Sequence, residues 1–302
     1  QRVLPGLYRL RQYKASELPA ELAAGITIGV VMIPVGLAFG SLAGQPMAGL
    51  YASILPIVVF ALFSGSRLLI VNPDASMSAL IAASVAPLAV GLGELAFAQM
   101  IGLLGLMMGV LCVVGALCRV GFLADLLARP VVVGFMHGTA VVIAIGQIPK
   151  ALGIDVGSDS TWGKVLEIMD KAREANLFEA AIALLSFALI LACRRWIPRV
   201  PGQIIVLVAA PLLVLALGLE QKGVQVIGHI PSGLPSPQVP VISLDLLRQL
   251  LPIALMGSLL AFSDVMVLAR EFAARHNPRV DGNREMMSLG LANAARAFTQ
   301  GL

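Results

Sequence analysis

The chain has 302 residues, of which 58% are hydrophobic and 13% charged, with a mean hydropathy of +0.92; a soluble domain carries about a quarter charged residues. This composition excludes a soluble globular domain, a disordered chain and a disulfide scaffold, and defines an all-α integral membrane protein with length for roughly nine spans. The formal charge of +4 is spread along the chain rather than gathered on one polar segment, which fits cations flanking a bilayer and not a nucleic-acid partner.

A polar stretch with Arg2, Arg9, Arg11 and Lys14 precedes the first apolar run, 22–42. It lacks the small-residue cleavage signature of an exported signal, so the run is expected to persist as a helix. Further runs cover about 50–63, 76–88, 95–117, 130–148, 178–193, 204–219, 250–268 and 286–302. With the amino terminus inside, Arg119 and Arg129, then Arg194, Arg195 and Arg199, then Arg270, Arg275, Arg279 and Arg284 share that side, as the positive-inside rule expects. The segments 150–177 and 220–249 then lie outside. Cys112, Cys118 and Cys193 are odd in number and sit in or beside apolar runs, the pattern of small packing residues.

The third run is irregular, because Asn72, Pro73 and Asp74 stand where a full span needs apolar residues. Irregular backbone at membrane depth is tolerated only against protein or a cavity. After Pro73 the sequence resumes a helical character, with Pro73 or Asp74 as first turn or cap. One reading is a half-helix whose amino end points into the bilayer, a device that holds an anion by its partial positive charge and N–H groups. The other is a short, ordinary span that starts at a turn. Glycine pairs at four-residue spacing, Gly25 and Gly29, Gly36 and Gly40, Gly105 and Gly109, are expected to let helix backbones approach closely. Pro34, just before Gly36, frees a carbonyl and can bend or break the first helix.

Asp264, in Phe262-Ser263-Asp264-Val265, is the clearest acid within a span. Such a carboxyl must be paired, protonated or hydrated, and it is read as a coupling site facing the protein interior, against the alternative of a hydrogen bond to a neighbouring helix. His137 lies inside another apolar run and is read as an interhelical donor. Arg296, in the terminal run, is expected to snorkel or to pair with an acid. The sequence holds no nucleophile elbow, zinc motif or nucleotide-binding loop. The chain is therefore not expected to be an enzyme or to use ATP itself, and a gradient must supply any energy.

Several segments together resemble the sulfate permease (SulP) family of anion transporters, relatives of prestin and pendrin. They are 33–40 in the first helix, Gly49-Leu50-Tyr51-Ala52-Ser53, Gly65-Ser66-Arg67, Asn72-Pro73-Asp74-Ala75, Gly121-Phe122-Leu123, 129–136 and 230–237. Their order and spacing cover nearly the whole chain.

The resemblance implies fourteen membrane segments in two inverted repeats of seven, with half-helices, divided between a core (transport) domain and a gate domain. On that pattern residues 1–19 are a cytoplasmic segment, 20–128 the first part of the core, 129–245 the first part of the gate, and 246–302 the second part of the core. The chain would then hold the first repeat and the start of the second, short of the tenth segment and of the family's STAS domain, and residues 1–302 alone are not expected to transport.

The resemblance places the substrate pocket at Val35, Gly36 and Phe39 and at Asp74, Ala75 and Ser76. Val35 stands where the family commonly has glutamine, and Asp74 brings an acid to the half-helix end, where capping the helix is its preferred role. Asp264 matches an acidic position beside the anion site, with Ser263 as a neighbouring oxygen donor. What this implies is a secondary active transporter of a small anion (sulfate, bicarbonate or dicarboxylate), working by an elevator mechanism with proton symport, or sodium in its place. An exchanger, a channel or a non-transporting scaffold are the other readings. No cofactor beyond the coupling ion is expected; the partners are the anion, the lipid bilayer and a second copy of the chain in a homodimer, in a cell membrane with the amino terminus cytoplasmic.

Overall fold

The computed structural model describes residues 4–43, 46–66, 69–85, 87–89, 91, 93–122, 129–158, 160–197, 202–226, 233, 239–240, 242–276, 280–299 and 301. Of the residues singled out above, Arg2, Arg67, Leu123, Arg199, Arg279, 230–232, 234–237 and 302 lie outside this set. Lipid offers the backbone no hydrogen-bonding partner, so apolar runs must satisfy their own N–H and C=O groups as helices. Among the described residues the chain is all-helical, without a strand.

In chain order the helices are α1 (Pro5–Arg11), α2 (Leu18–Leu42), α3 (Pro46–Tyr51), α4 (Leu55–Phe63), α5 (Ala75–Ser84), α6 (Glu94–Leu117), α7 (Arg129–Leu152), α8 (Thr161–Asp170), α9 (Leu177–Trp196), α10 (Gly202–Ala216), α11 (Leu244–His276) and α12 (Gly282–Arg296). Among the described residues five stretches are long and apolar enough to cross a membrane: Ala15–Ser41, Pro46–Phe63, Leu95–Leu117, Leu177–Trp196 and Leu244–Ala273. Pro34 does not break α2, which runs through it without interruption. The expected run 50–63 is instead divided, since the chain turns at 52–54 and a new helix starts with Pro56 in its first turn.

The chain forms two compact units. The first comprises residues 1–22, 32–128 and 232–302, and the second residues 23–31 and 129–231. In the first unit α6 is the central helix. Leu104 and Met108 pack with Met77 and Ile81 of α5 and with Leu250 and Ala254 of α11, while Cys112 joins Phe60, Phe262, Met266 and Leu289 in a second cluster. Helix α12 crosses α6 at Gly109 and Gly290, so closely that a Cβ on Gly109 would lie 2.7 Å from the Ala294 nitrogen and 2.8 Å from the Gly290 oxygen. Gly36 and Gly49 make a second such crossing, of α2 with α3. Gly25 and Gly29 depart from the expected pattern, for a Cβ on either would meet nothing within 4 Å.

In the second unit α9 packs on α10 and α7, and α8 on α7. Leu177 (81% exposed), Trp196 (78%) and Leu215 (79%) present apolar side chains outward. The segment 150–177 carries a helix that periodicity did not reveal. Ser160 caps α8 by accepting the Gly163 amide at 2.9 Å. Glu167 accepts the Gly157 and Ser158 amides at 3.1 and 3.0 Å and the Lys171 ammonium at 2.9 Å. That ammonium, followed by the amides, holds the Glu167 carboxyl below its ordinary range.

Candidate functional site

The irregular third run is a half-helix. Asp74 has extended backbone and is the N-cap of α5: its Oδ1 accepts the Met77 amide at 2.8 Å, and its carbonyl accepts the Ser78 hydroxyl at 2.7 Å. Ten residues at about 1.5 Å rise make a helix of roughly 15 Å, half the thickness of the hydrocarbon core. Ala75 opens the helix and Ser76 follows in its first turn. Met77, Ser78 and Ile81 are buried, so α5 sits inside the first unit rather than on its surface.

Two sets of side chains hold the approach to α5. Nearer the half-helix, the Ser53 hydroxyl donates to Asn72 Oδ1 at 2.5 Å. It thereby ties the cap to the turn after α3, the helix that crosses α2 at Gly36. Farther back, residues 64–66 are gripped from both sides. Arg9 of α1 donates to the Gly65 carbonyl at 2.6 Å and to the Ser66 carbonyl at 3.2 Å, while Glu285 of α12 accepts the Ser64 hydroxyl at 2.7 Å and the Ser66 amide at 2.9 Å. Glu285 is 1% exposed.

Asp264 is part-buried on α11, the helix that packs on α5, and lies within electrostatic reach of Asp74. Its neighbour Ser263 donates its hydroxyl to the Leu259 carbonyl at 2.7 Å, one turn back on the same helix. Arg296, expected to snorkel or to pair with an acid, is buried and makes no ion pair within 4.0 Å among the described residues. It is 6% exposed, its Nε meets no acceptor, and its Nη2 rests 3.5 Å from the Met108 sulfur. Asp74 is within electrostatic reach of this guanidinium too.

Of the expected site residues, Asp264 is within electrostatic reach of Asp74, and Ala75 and Ser76 stand in the first turn of the half-helix that Asp74 caps. Gly36 is linked to them through Gly49, Ser53 and Asn72, and Val35 and Phe39 lie part-buried on α2. His137 is an exposed residue of α7, in the second unit. Glu285 stands one residue before the expected run 286–302, and its signal in the sequence is an acid directly before two methionines. Among the described residues no group of three His, Cys, Asp or Glu could hold a metal.

Several helices long and apolar enough to cross a membrane, with a buried half-helix in the first unit, define a polytopic membrane protein. Residues 18–302 match the model of the sulfate permease family, and the chain belongs to that family. It is 36% identical over 298 residues to "Probable sulfate transporter MT1781" of Mycobacterium tuberculosis, covering 98% of this chain and 53% of that protein. The chain thus spans about half the length of the curated relatives it matches. Its fold is similar to that of the murine solute carrier 26 family member A9 anion transporter in an inward-facing state. The TM-score there is 0.82 at 22% identity, covering 99% of this chain and 53% of that one. It is also similar to the transmembrane domain of the cyanobacterial bicarbonate transporter BicA, with a TM-score of 0.76 at 24% identity, covering 96% and 74%.

Proposed function

We propose that this chain forms part of a secondary active transporter of a small anion, with sulfate ahead of bicarbonate and dicarboxylates. The observation that carries the reading is the half-helix α5, which opens inside the first unit with Asp264 in electrostatic reach of its cap. A helix amino end at membrane depth is a ready anion site. The proteins it is similar to, sulfate transporters and a bicarbonate transporter, point to oxyanions as the substrate class.

In this mechanism Asp264 couples flux to protons. Protonated, it lowers the negative charge beside α5 and favours anion entry; ionised, it favours release, and the two ligands drive each other by linkage. The first unit serves as the core and moves, elevator-fashion, against the second as the gate. The protein works as a homodimer in a cell membrane with its amino terminus cytoplasmic, where the arginine-rich connections lie.

The test is uptake of labelled sulfate, bicarbonate and fumarate by the full-length protein in proteoliposomes, with and without an inward proton gradient, for wild type and Asp264→Asn. Gradient-driven uptake that the substitution abolishes is the expected result. Uptake that follows a sodium gradient instead assigns the coupling to sodium; uptake indifferent to both gradients and to the substitution identifies an exchanger or channel. Absence of any flux from a folded protein refutes transport.

A further inference from the structure

The amino end of α5 poses an electrostatic problem. A helix end carries about half a positive charge, whereas Asp74 adds a full negative charge and already occupies the Met77 amide. Cap and helix end together are net negative, and Asp264 adds to this whenever it is ionised. An anion bound there requires a further cation.

Among the described residues Arg296 is the one buried cation. It stands at the end of α12 and lies across Gly105 of α6, where a Cβ would come within 2.8 Å of its Nε. Met108, which its Nη2 touches, belongs to the same buried cluster as Met77 and Ile81 of α5. A guanidinium taken out of water is costly unless it is paired and hydrogen-bonded. Here Nε has no acceptor, and among the described residues no carboxylate lies within 4.0 Å. The charge acts at longer range, and Asp74 is within that range.

We propose that Arg296 is the charge-setting residue of the anion site: placed behind α5 on the floor formed by Gly105 and Met108, it offsets Asp74 and lets the half-helix end accept a divalent oxyanion. This rests on reading α5 as the anion site. With Asp74, Asp264 and Arg296 all charged, the three sum to one negative charge; a proton on Asp264 brings them to zero. Without Arg296 the site stays negative in both states and excludes dianions most strongly, since Coulomb energy scales with the product of the charges.

The experiment measures half-saturating concentrations for labelled sulfate and labelled bicarbonate with the full-length protein in proteoliposomes. Arg296→Gln is expected to raise the value about tenfold for bicarbonate and about a hundredfold for sulfate, following the charge ratio. Arg296→Lys keeps most of the sulfate affinity. Asp74→Asn, which retains a capping side chain, strengthens sulfate binding alone and restores it in the Arg296→Gln background. Unchanged sulfate affinity in Arg296→Gln, or an equal loss for both anions, overturns the inference and leaves the reading of α5 standing. If Arg296→Gln does not fold, Asp74→Asn alone decides, and unchanged sulfate affinity there overturns it. A wild type that moves neither anion overturns the functional reading itself.

Discussion

Replacing Glu285 by alanine removes the acceptor that fixes residues 64–66, the approach to the half-helix. The carboxylate receives the Ser64 hydroxyl at 2.7 Å and the Ser66 amide at 2.9 Å in a site that is 1% exposed. The Ser66 amide also donates to Ser64 Oγ at 3.1 Å and the Ser64 hydroxyl also reaches the Ser66 carbonyl at 3.4 Å, so the two donors keep weaker partners and the loss is roughly 1–3 kcal/mol, the cost of one buried donor left unmatched. That is a large share of the roughly 5–15 kcal/mol that holds a folded domain together. Glu285→Gln keeps the shape and one carbonyl oxygen, and loses less. Thermal unfolding of the purified full-length protein should therefore rank wild type above Glu285→Gln above Glu285→Ala. Because Arg9 holds the carbonyls of the same segment, Arg9→Ala combined with Glu285→Ala should be non-additive. A Glu285→Ala protein as stable as wild type, or indistinguishable from Glu285→Gln, refutes the reasoning.

The cap of α5 separates two variants: Asp74→Ala should cost about 1 kcal/mol of stability while Asp74→Asn is close to neutral, both read from unfolding midpoints. Gly109→Ala drives a methyl into the α12 backbone and should cost roughly 1–3 kcal/mol. Gly29→Ala, with nothing within 4 Å, should be neutral or stabilising by up to about 1 kcal/mol, and equal effects at the two sites would count against close packing at Gly109. The Glu167 carboxyl is held below its ordinary range, so its contribution is present above that range and is lost as pH falls through the lowered value. The protection of the Gly157 and Ser158 amides, their exchange rate relative to the intrinsic rate at each pH, should fall on acidification in wild type and be lower and independent of pH in Glu167→Gln; a pH response of protection that survives this substitution would assign it elsewhere.

What could be read from the sequence follows a physical division. Long apolar runs declare themselves, because lipid leaves helix as the one way to satisfy their backbone, and α2, α6, α9 and α11 fall on the expected runs. The break before α5 was legible because Asn72, Pro73 and Asp74 are polar or helix-breaking in an apolar setting. Asp264 was legible for the same reason. The turn at 52–54 carries no such contrast, since it interrupts one apolar sequence with another. Helix α8 is short, and its cap at Ser160 resembles any loop serine. The burial of Arg296 and Glu285 was hidden most completely. Periodicity tells which face of a helix is apolar, but not that α12 (with its mixed composition) packs on α4 and, through glycine contacts, on α6.

The bond between Ser64 and Glu285 spans 221 positions of sequence, and this separation governs how the protein is made. A chain synthesised at about 5–20 residues per second produces Glu285 roughly 10–40 s after Ser64. During that interval α5 has left the ribosome, yet it is too short to cross the bilayer and lacks the element that secures its approach. Contacts so distant in sequence form late, after the loop entropy between them has been overcome. The nascent half-helix must therefore be sheltered, by the insertion machinery or by α6, until α12 arrives. Variants at Glu285 should accordingly lower the yield of membrane-inserted protein at synthesis, as a loss separate from any effect on the finished fold.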